Sequence, residues 1–533
     1  MNQAEIKRKQ AQAISDILAL VTIAIVARLV GYNGVAYIAA AVETVAAVWM
    51  IVGGNLTNAL GRLIRSRNSK GQQRNAARIR KNAFLFQAVV GLAGSLGLLA
   101  GADQIARSIF RVQYATFILM VMSPVIFLKS ISAVFLGYFQ GEGSEFPAVA
   151  SGILRQVFIL GFSLLFGRML GKYGVKVSRL LAQENFTSMY SGVGVAIAVS
   201  VTELFVVIFL FLIYWFSKRY GEGLAVGGTR SAESFIDSIR ILFGTRGLQW
   251  VTGLLTCLPV PLGFIFLSKS GEADTVAMPY GVYISAYLVL CGIWTAIIML
   301  SVYPVCGRTL TSLRKEGQRL ARTVFRSGIH ICVVHALFAS SFLMVLSSQF
   351  AQTFFADQAE IAAEMLKNGG LAVLFLVLSL YFGRILNLAG WNMLVLGAVG
   401  SADVVYIISV AVMLRSGSIG VQALVYGGVL GLGVACVLLG TLACRQLKYF
   451  PDWLRLIVVP GGAACVSGLL CMLLGRVLTP HLGGAVTLIV LFVVCCSLYW
   501  ALLILLRNFS EQELDVIPGG RLIRSLGQLL HVF

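Results

Sequence analysis

An all-α polytopic membrane protein of about fourteen transmembrane helices is what the sequence predicts, on three observations. Of its 533 residues, 58% are hydrophobic and 12% charged, with a mean hydropathy of +0.87, whereas soluble domains carry about a quarter charged residues. The chain holds fourteen apolar runs of the roughly 20 residues that a bilayer-spanning helix needs. Between them no gap exceeds roughly 25 residues, too short for a domain with its own core, which takes about 50. A water-soluble enzyme of this composition would expose apolar patches that monomers avoid, and that class is excluded.

The expected spans are 12–31, 35–57, 83–103, 114–137, 147–169, 190–216, 241–267, 279–304, 328–349, 369–388, 392–414, 419–443, 455–475 and 484–506. Only Gly31–Gly34 separates the first two, and Gly390 marks the join of the tenth and eleventh. Pro124 interrupts span 4, Pro259 and Pro261 span 7, and Pro460 span 13. Each proline frees a backbone carbonyl and favours a kink. Span 7, with Trp250 and Gly253 near its two prolines, is the candidate for a helix that bends, with Pro259 and Pro261 as hinge residues. Spans 13 and 14 read as lipid-facing, or as an apolar wall for a long acyl or prenyl chain. Met1–Gln10 is charged and the next apolar run reaches span length, so no cleavable signal peptide is expected.

The net charge of +20 invites a nucleic-acid reading, but its distribution points elsewhere. With loops assigned to alternate sides, 29 of the 42 Lys and Arg share the amino-terminal side, ten lie on the other and three fall within spans. Basic residues mark cytoplasmic loops, so both termini of this multi-pass membrane protein are expected in the cytoplasm. Attraction to anionic lipid headgroups is a secondary effect.

An offset of 246 residues relates three helix ends: Gly61-Arg62 to Gly307-Arg308, Tyr37 to Tyr283, and Gly137 to Gly383. Six spans per unit gives repeats of like orientation, related by an axis along the membrane normal. The expected organisation is an N-lobe of spans 1–6 (1–220), a C-lobe of spans 7–12 (221–445), helices 13 and 14 (446–506), and a cytoplasmic amphipathic tail (507–533). Two six-helix lobes around a central cavity are the architecture of a transporter.

Charges inside spans are expensive and normally face protein or a water-filled cavity. Glu43, Lys129, Glu203 and Asp403 lie near the centres of spans 2, 4, 6 and 11. Asp16 and Arg155 lie in the inner portions of spans 1 and 5, Arg28 near the outer end of span 1, and Arg246 and Arg384 at the inner ends of spans 7 and 10. Lys129, Arg155, Arg28 and Arg246 are candidate ligands for an anionic headgroup. Glu43, Glu203, Asp403 and Asp16 are candidates for proton or sodium coupling. The structural alternative is neutralising ion pairs such as Lys129–Glu203 or Arg28–Glu43.

All ten Cys lie from Cys257 onward without a Cys-x-x-Cys motif, and His330 and His335 are five apart, the wrong spacing for two ligands on one helix face. No metal or other cofactor is expected. The sequence has no Walker A motif, so an ion gradient or downhill movement of substrate supplies the energy.

The segment Leu136-Gly-Tyr-Phe-Gln-Gly141, followed by Phe146-Pro147 and Leu154-Arg-Gln156, resembles the stretch after helix 4 in stage V sporulation protein B-like polysaccharide-biosynthesis membrane proteins of the MOP exporter superfamily. The basic stretch 61–81 and the tail Ser510-Glu-Gln-Glu513 with Ile517-Pro-Gly-Gly-Arg521 are similar to the same family, and Ser510 with Glu513 forms a capping box. Leu136 stands where the family has Arg, and Arg155 where it has Glu. The resemblance implies fourteen helices and a flippase of the polysaccharide and lipid II branch, moving undecaprenyl-pyrophosphate-linked glycans from inner to outer leaflet. By analogy, Lys129 and Arg155 would face the headgroup, with Arg28 and Arg246 beside them and helices 13 and 14 lining a groove for the lipid tail.

Two other functions compete. A proton- or sodium-coupled multidrug (MATE-type) antiporter would use Glu43, Glu203 or Asp403 and usually has twelve helices. A non-transporting scaffold of cell-envelope assembly would bind partner proteins and no lipid substrate. No loop gathers a nucleophile with a base, so the chain is not expected to be an enzyme. The expected partners are a lipid-linked glycan, membrane lipids and cell-envelope synthesis proteins, with no nucleic acid; a monomer is expected.

Overall fold

The computed structural model describes residues 3–183, 185–220, 234–271, 273–315, 317–417, 419–479, 481, 483–509, 514 and 524–525. All regular secondary structure among them is helical, and thirteen helices are long and apolar enough to cross a membrane. The difference from fourteen lies at the start. The first two expected spans are read through as one helix of 62 residues, Arg8–Ser69. Held straight, it would be roughly 90 Å long, about three times the hydrocarbon thickness. It is broken at Gly31 (φ 74°, ψ 164°) and again at Asn55 (φ 57°, ψ 9°), and spans 1 and 2 lie on either side of Gly31.

The chain divides into two compact units, Val21–Ile284 and a terminal unit of Met1–Leu20 with Ser285–Phe533. The Val21–Ile284 unit takes most of α1 (Gln3–Gly53), then α2 (Leu56–Ser69), α3 (Gln73–Gln104), α4 (Ala115–Met122) and α5 (Pro124–Gly141). It continues with α6 (Phe146–Leu181), α7 (Asn185–Tyr220), α8 (Phe235–Cys257), α9 (Pro259–Ser270) and α10 (Ala273–Val282). α5 packs on α2, α3 and α7, and α6 runs along α7. Leu56, Leu60 and Ile64 of α2 form a core with Ile79 and Ala83 of α3 and Ala133 and Val134 of α5. Gly137 and Gly141 of α5 face Leu60 and Ile64, where small residues let membrane helices approach closely.

Pro124 separates α4 from α5 without a bend, because Ser123 keeps helical dihedrals (φ −57°, ψ −38°). The carbonyls around it find side-chain donors. Ser123 Oγ donates to Met120 O at 2.9 Å, Ser95 Oγ to Ser123 O at 2.7 Å, and Ser200 Oγ to Val121 O at 2.8 Å. Hydroxyls satisfying a proline-freed backbone are what a dry bilayer requires, and here they tie α3 and α7 to this segment.

α1 and α10 meet closely: a methyl group on Gly281 would overlap the carbonyl of Tyr32, one residue after the Gly31 break. The backbone there cannot yield as a side chain can, so Gly281→Ala is expected to cost about 3 kcal/mol, the upper range for overpacking. Gly428→Ala, with open space around its new methyl, should be neutral or stabilising. Thermal unfolding in detergent measures both, and equal melting temperatures would contradict the close approach.

The terminal unit adds α11 (Val289–Lys315), α12 (Gln318–Val345), α13 (Ser347–Phe354), α14 (Ala359–Gly369) and α15 (Ala372–Ala389). It ends with α16 (Asn392–Arg415), α17 (Gln422–Leu447), α18 (Val459–Leu478) and α19 (Gly484–Leu505). Gly390, at φ 93°, closes α15 in the left-handed region where a residue with Cβ is disfavoured. α12 is buried along most of its length. Tyr499 of α19 donates to Val334 O of α12 at 2.8 Å, and the ring of Phe509 lies 5.0 Å from that of His330. The capping box at Ser510 and Glu513 and the Ile517–Arg521 segment lie outside the described residues.

Long apolar side chains stay exposed along many helices, among them Val157, Leu165 and Met169 of α6 and Val486, Ile489 and Val493 of α19. On a soluble monomer such patches would drive association; on spans they are the lipid-facing surface.

Candidate functional site

Three spans of the Val21–Ile284 unit bring charges together. Lys129 sits on α5, within two turns of Pro124. Arg155 sits on α6, whose first turn carries Pro147, and Glu203 on α7, which packs on both. Arg155 Nε donates to Glu203 Oε1 at 2.9 Å and Nη2 to Oε2 at 3.2 Å. This two-pronged fork matches a planar guanidinium to a planar carboxylate. The Glu203 side chain is 1% exposed and that of Arg155 23%, so the pair is largely shielded from solvent. Phe158 and Phe162 of α6 and Phe205 of α7 pack on one another at 5.5–5.8 Å between ring centres and keep the α6–α7 seam apolar.

Lys129 is half-buried and lies within Coulombic range of both Glu203 and Arg155. Among the described residues its ammonium has no acceptor within hydrogen-bond distance, while both oxygens of Glu203 accept from Arg155. Counted as ionised groups, Lys129, Arg155 and Glu203 sum to one positive charge, and Lys129 is the member outside the fork. Of the two sequence-based pairings, neither forms: Glu203 takes Arg155 instead of Lys129, and Glu43 takes a hydroxyl instead of Arg28.

That hydroxyl belongs to Tyr280 of α10, which donates to Glu43 Oε1 of α1 at 2.6 Å. Glu43 Oε2 is buried and has no hydrogen-bond partner among the described residues. The Tyr280 ring is held flat against Phe264, 3.9 Å away and 3° from parallel, so the donor cannot swing freely. Sequence reading missed Tyr280: it lies 237 residues from Glu43 and nothing local distinguishes it from other aromatic residues of the spans.

The remaining candidates stand elsewhere. Arg28 is exposed on α1 three residues before the Gly31 break. Arg246 falls on α8, and its side chain lies outside the described residues. Asp16, exposed, and Asp403, half-buried with no partner for Oδ2 among the described residues, belong to the terminal unit, as does Arg384. Tyr303 there feels the charges of both Arg384 and Asp16. Pro259 opens α9 and Pro261 is two residues further on, while Leu258 before them keeps near-helical dihedrals (φ −79°, ψ −34°). The larger departure in span 7 is at Gly247, with φ 53° and ψ −159°.

No family model matches this chain. Stage V sporulation protein B of Bacillus subtilis (strain 168) is 22% identical over 205 residues, 38% of this chain and 37% of that protein, so the match spans little more than a third of this relative. A solved structure of the lipid II flippase MurJ, in an inward closed conformation, superposes with a TM-score of 0.65 at 13% identity over 93% of this chain and 98% of its own. An inward-facing multidrug resistance MATE family transporter of the MOP superfamily superposes at 0.62 with 14% identity, over 84% and 98%. A MOP superfamily transporter from Pyrococcus furiosus Vc1 (DSM3638), described as having a binding pocket of reversed polarity, gives 0.58 with 14% identity over 83% and 96%. The chain has an all-helical, MOP/MATE-like fold, as its sequence predicts.

Proposed function

We propose that this chain is a flippase that carries an undecaprenyl-pyrophosphate-linked oligosaccharide or peptidoglycan precursor from the inner to the outer leaflet by alternating access. The observation that carries the reading is Lys129: a half-buried ammonium on a span, without an acceptor among the described residues, in a cluster of net charge +1. A cation kept in a bundle at such cost is a functional site by default, and pyrophosphate oxygens are its natural partners. Arg155 shapes the site through its fork with Glu203, and Arg28 and Arg246 are further headgroup candidates. The flippase structure covers 93% of the chain and the MATE transporter 84%. The difference is about the size of α18 and α19, with 20 and 22 residues, which supports a groove for a lipid tail.

In this reading both termini are cytoplasmic in a bacterial cell membrane, span 7 bends during the cycle near Pro259 and Pro261, and Glu43 couples transport to a proton or sodium gradient. A carboxylate with one oxygen held and the other buried and unpartnered among the described residues is suited to gaining and losing a small cation. Glu43→Gln should retain the Tyr280 hydrogen bond through its amide oxygen and keep its melting temperature. Gradient-driven transport should fall at least tenfold. Wild-type gradient dependence in the variant would remove Glu43 from the coupling path.

The same carboxylate, together with the MATE likeness, favours a second reading: an ion-coupled multidrug antiporter. Reconstituted vesicles separate the two. Gradient-dependent transbilayer movement of a fluorescent polyprenyl-pyrophosphate glycan, lost in Lys129→Gln, is expected of the flippase. Cationic drug efflux without movement of that lipid would establish the antiporter instead.

A further inference from the structure

A cavity of about 650 Å³ in the Val21–Ile284 unit shares no lining residue with the Lys129 cluster or the Glu43–Tyr280 pair. It lies where the α1 segment after the Gly31 break meets the end of α6 and the start of α7. We infer that this cavity is a saccharide-binding subsite, formed by Asn33, Ser178, Arg179, Gln183, Asn185 and Ser188; the inference rests on the flippase reading for its biological role.

Its chemistry selects the ligand. Small-molecule pockets of 300–1,000 Å³ are lined predominantly by apolar side chains, but only Val175 and Ala182 of the nine lining residues here are apolar. A lipid tail or a greasy drug would leave the other seven unmatched. Among the described lining residues the charged group is the Arg179 guanidinium, which is exposed. What remains is amides and hydroxyls, which donate and accept in pairs, as a ring of vicinal sugar hydroxyls does. Arg179 adds a place for the carbonyl of an N-acyl sugar or the carboxylate of an acidic one.

Two observations point to a built site. Asn33 lines the cavity and its Oδ1 is buried without a hydrogen-bond partner among the described residues, a loss of about 1–3 kcal/mol that a ligand hydroxyl would offset. The wall opposite is braced. Ser178 Oγ and Thr187 Oγ1 are 2.9 Å apart across the α6–α7 turn, and Tyr114 donates to Gln183 Oε1 at 3.4 Å. The Tyr114 ring is clamped between Tyr37 and Phe186, with ring centres at 5.5 and 5.8 Å. Ala182, at φ 51° and ψ 36°, turns the chain so that Gln183 and Asn185 both reach the cavity. In the topology proposed above this face is the outer one, where the glycan of a flipped lipid emerges.

The test uses the full-length protein in detergent and a panel of free sugars, N-acetylglucosamine, its β-1,4 disaccharide, glucose and galacturonate, titrated by saturation-transfer NMR. At least one sugar should saturate the wild type. Asn33→Ala and Gln183→Ala should weaken it at least tenfold, and Val175→Trp, which fills the cavity from an exposed position, should abolish it with melting temperature unchanged. Lys129→Gln should leave it as in the wild type. If no sugar of the panel saturates the wild type, or if the three cavity variants bind as it does, the subsite is overturned. Flipping of a lipid-linked glycan by the wild type would then still uphold the flippase reading. Sugar binding lost in the cavity variants, with no flipping by the wild type, would uphold the subsite and sink that reading.

Discussion

Arg155→Ala is expected to destabilise the protein by about 3–5 kcal/mol, the cost of removing one partner from a buried ion pair. The reason is Glu203, which is 1% exposed and would keep a buried carboxylate without a hydrogen-bond donor, since Lys129 stands within Coulombic range but outside hydrogen-bond distance. A membrane-embedded carboxylate cannot turn to water, so α6 and α7 must part or the group must take up a proton. Removing both charges tells a different story. Arg155→Leu with Glu203→Leu should melt near the wild type, since paired burial is often matched by apolar packing of similar volume. The exchanged pair, Arg155→Glu with Glu203→Arg, should recover much of what either single reversal loses. Melting curves in detergent decide this, and an Arg155→Ala protein as stable as wild type would contradict the fork. Loss of transport in that single variant therefore says little about headgroup contact.

Lys129→Gln is the informative counterpart. Its ammonium has no acceptor among the described residues, so the fold should survive substitution. A charge-assisted hydrogen bond contributes about 1.5–3 kcal/mol, and each 1.4 kcal/mol is tenfold in affinity. Binding of a polyprenyl-pyrophosphate lipid should therefore weaken by roughly 10- to 100-fold, while Lys129→Arg retains most of it. Unchanged affinity in a folded Lys129→Gln protein would mean that the headgroup lies elsewhere.

Much of this was legible in the sequence, because span length and hydropathy leave a bilayer helix few alternatives. The charged residues were legible too, since few charges fall within the spans. Their partners were not. Position along a span gives approximate depth, but which neighbour a side chain meets depends on helix rotation and packing. Glu203 therefore chose Arg155 on α6 although Lys129 lies within its electrostatic reach. Tyr280 escaped notice for the same reason. Span 7 shows a second limit: Pro259 catches the eye as a breaker, yet at the first turn of a helix proline fits without distortion. The non-helical dihedrals fall at Gly247, a residue that composition does not single out. Between spans 1 and 2, which Gly31–Gly34 separates in the sequence, Gly31 alone leaves helical dihedrals.

Native mass spectrometry of gently solubilised wild type and Lys129→Gln tests most directly whether this chain carries an anionic lipid-linked glycan. The wild type should retain a polyprenyl-pyrophosphate glycan, or shift when purified lipid II is added, and the variant should do neither while remaining folded. A wild type that brings only bulk phospholipid and shows no shift with lipid II would contradict the flippase and turn attention to ion-driven drug transport through Glu43.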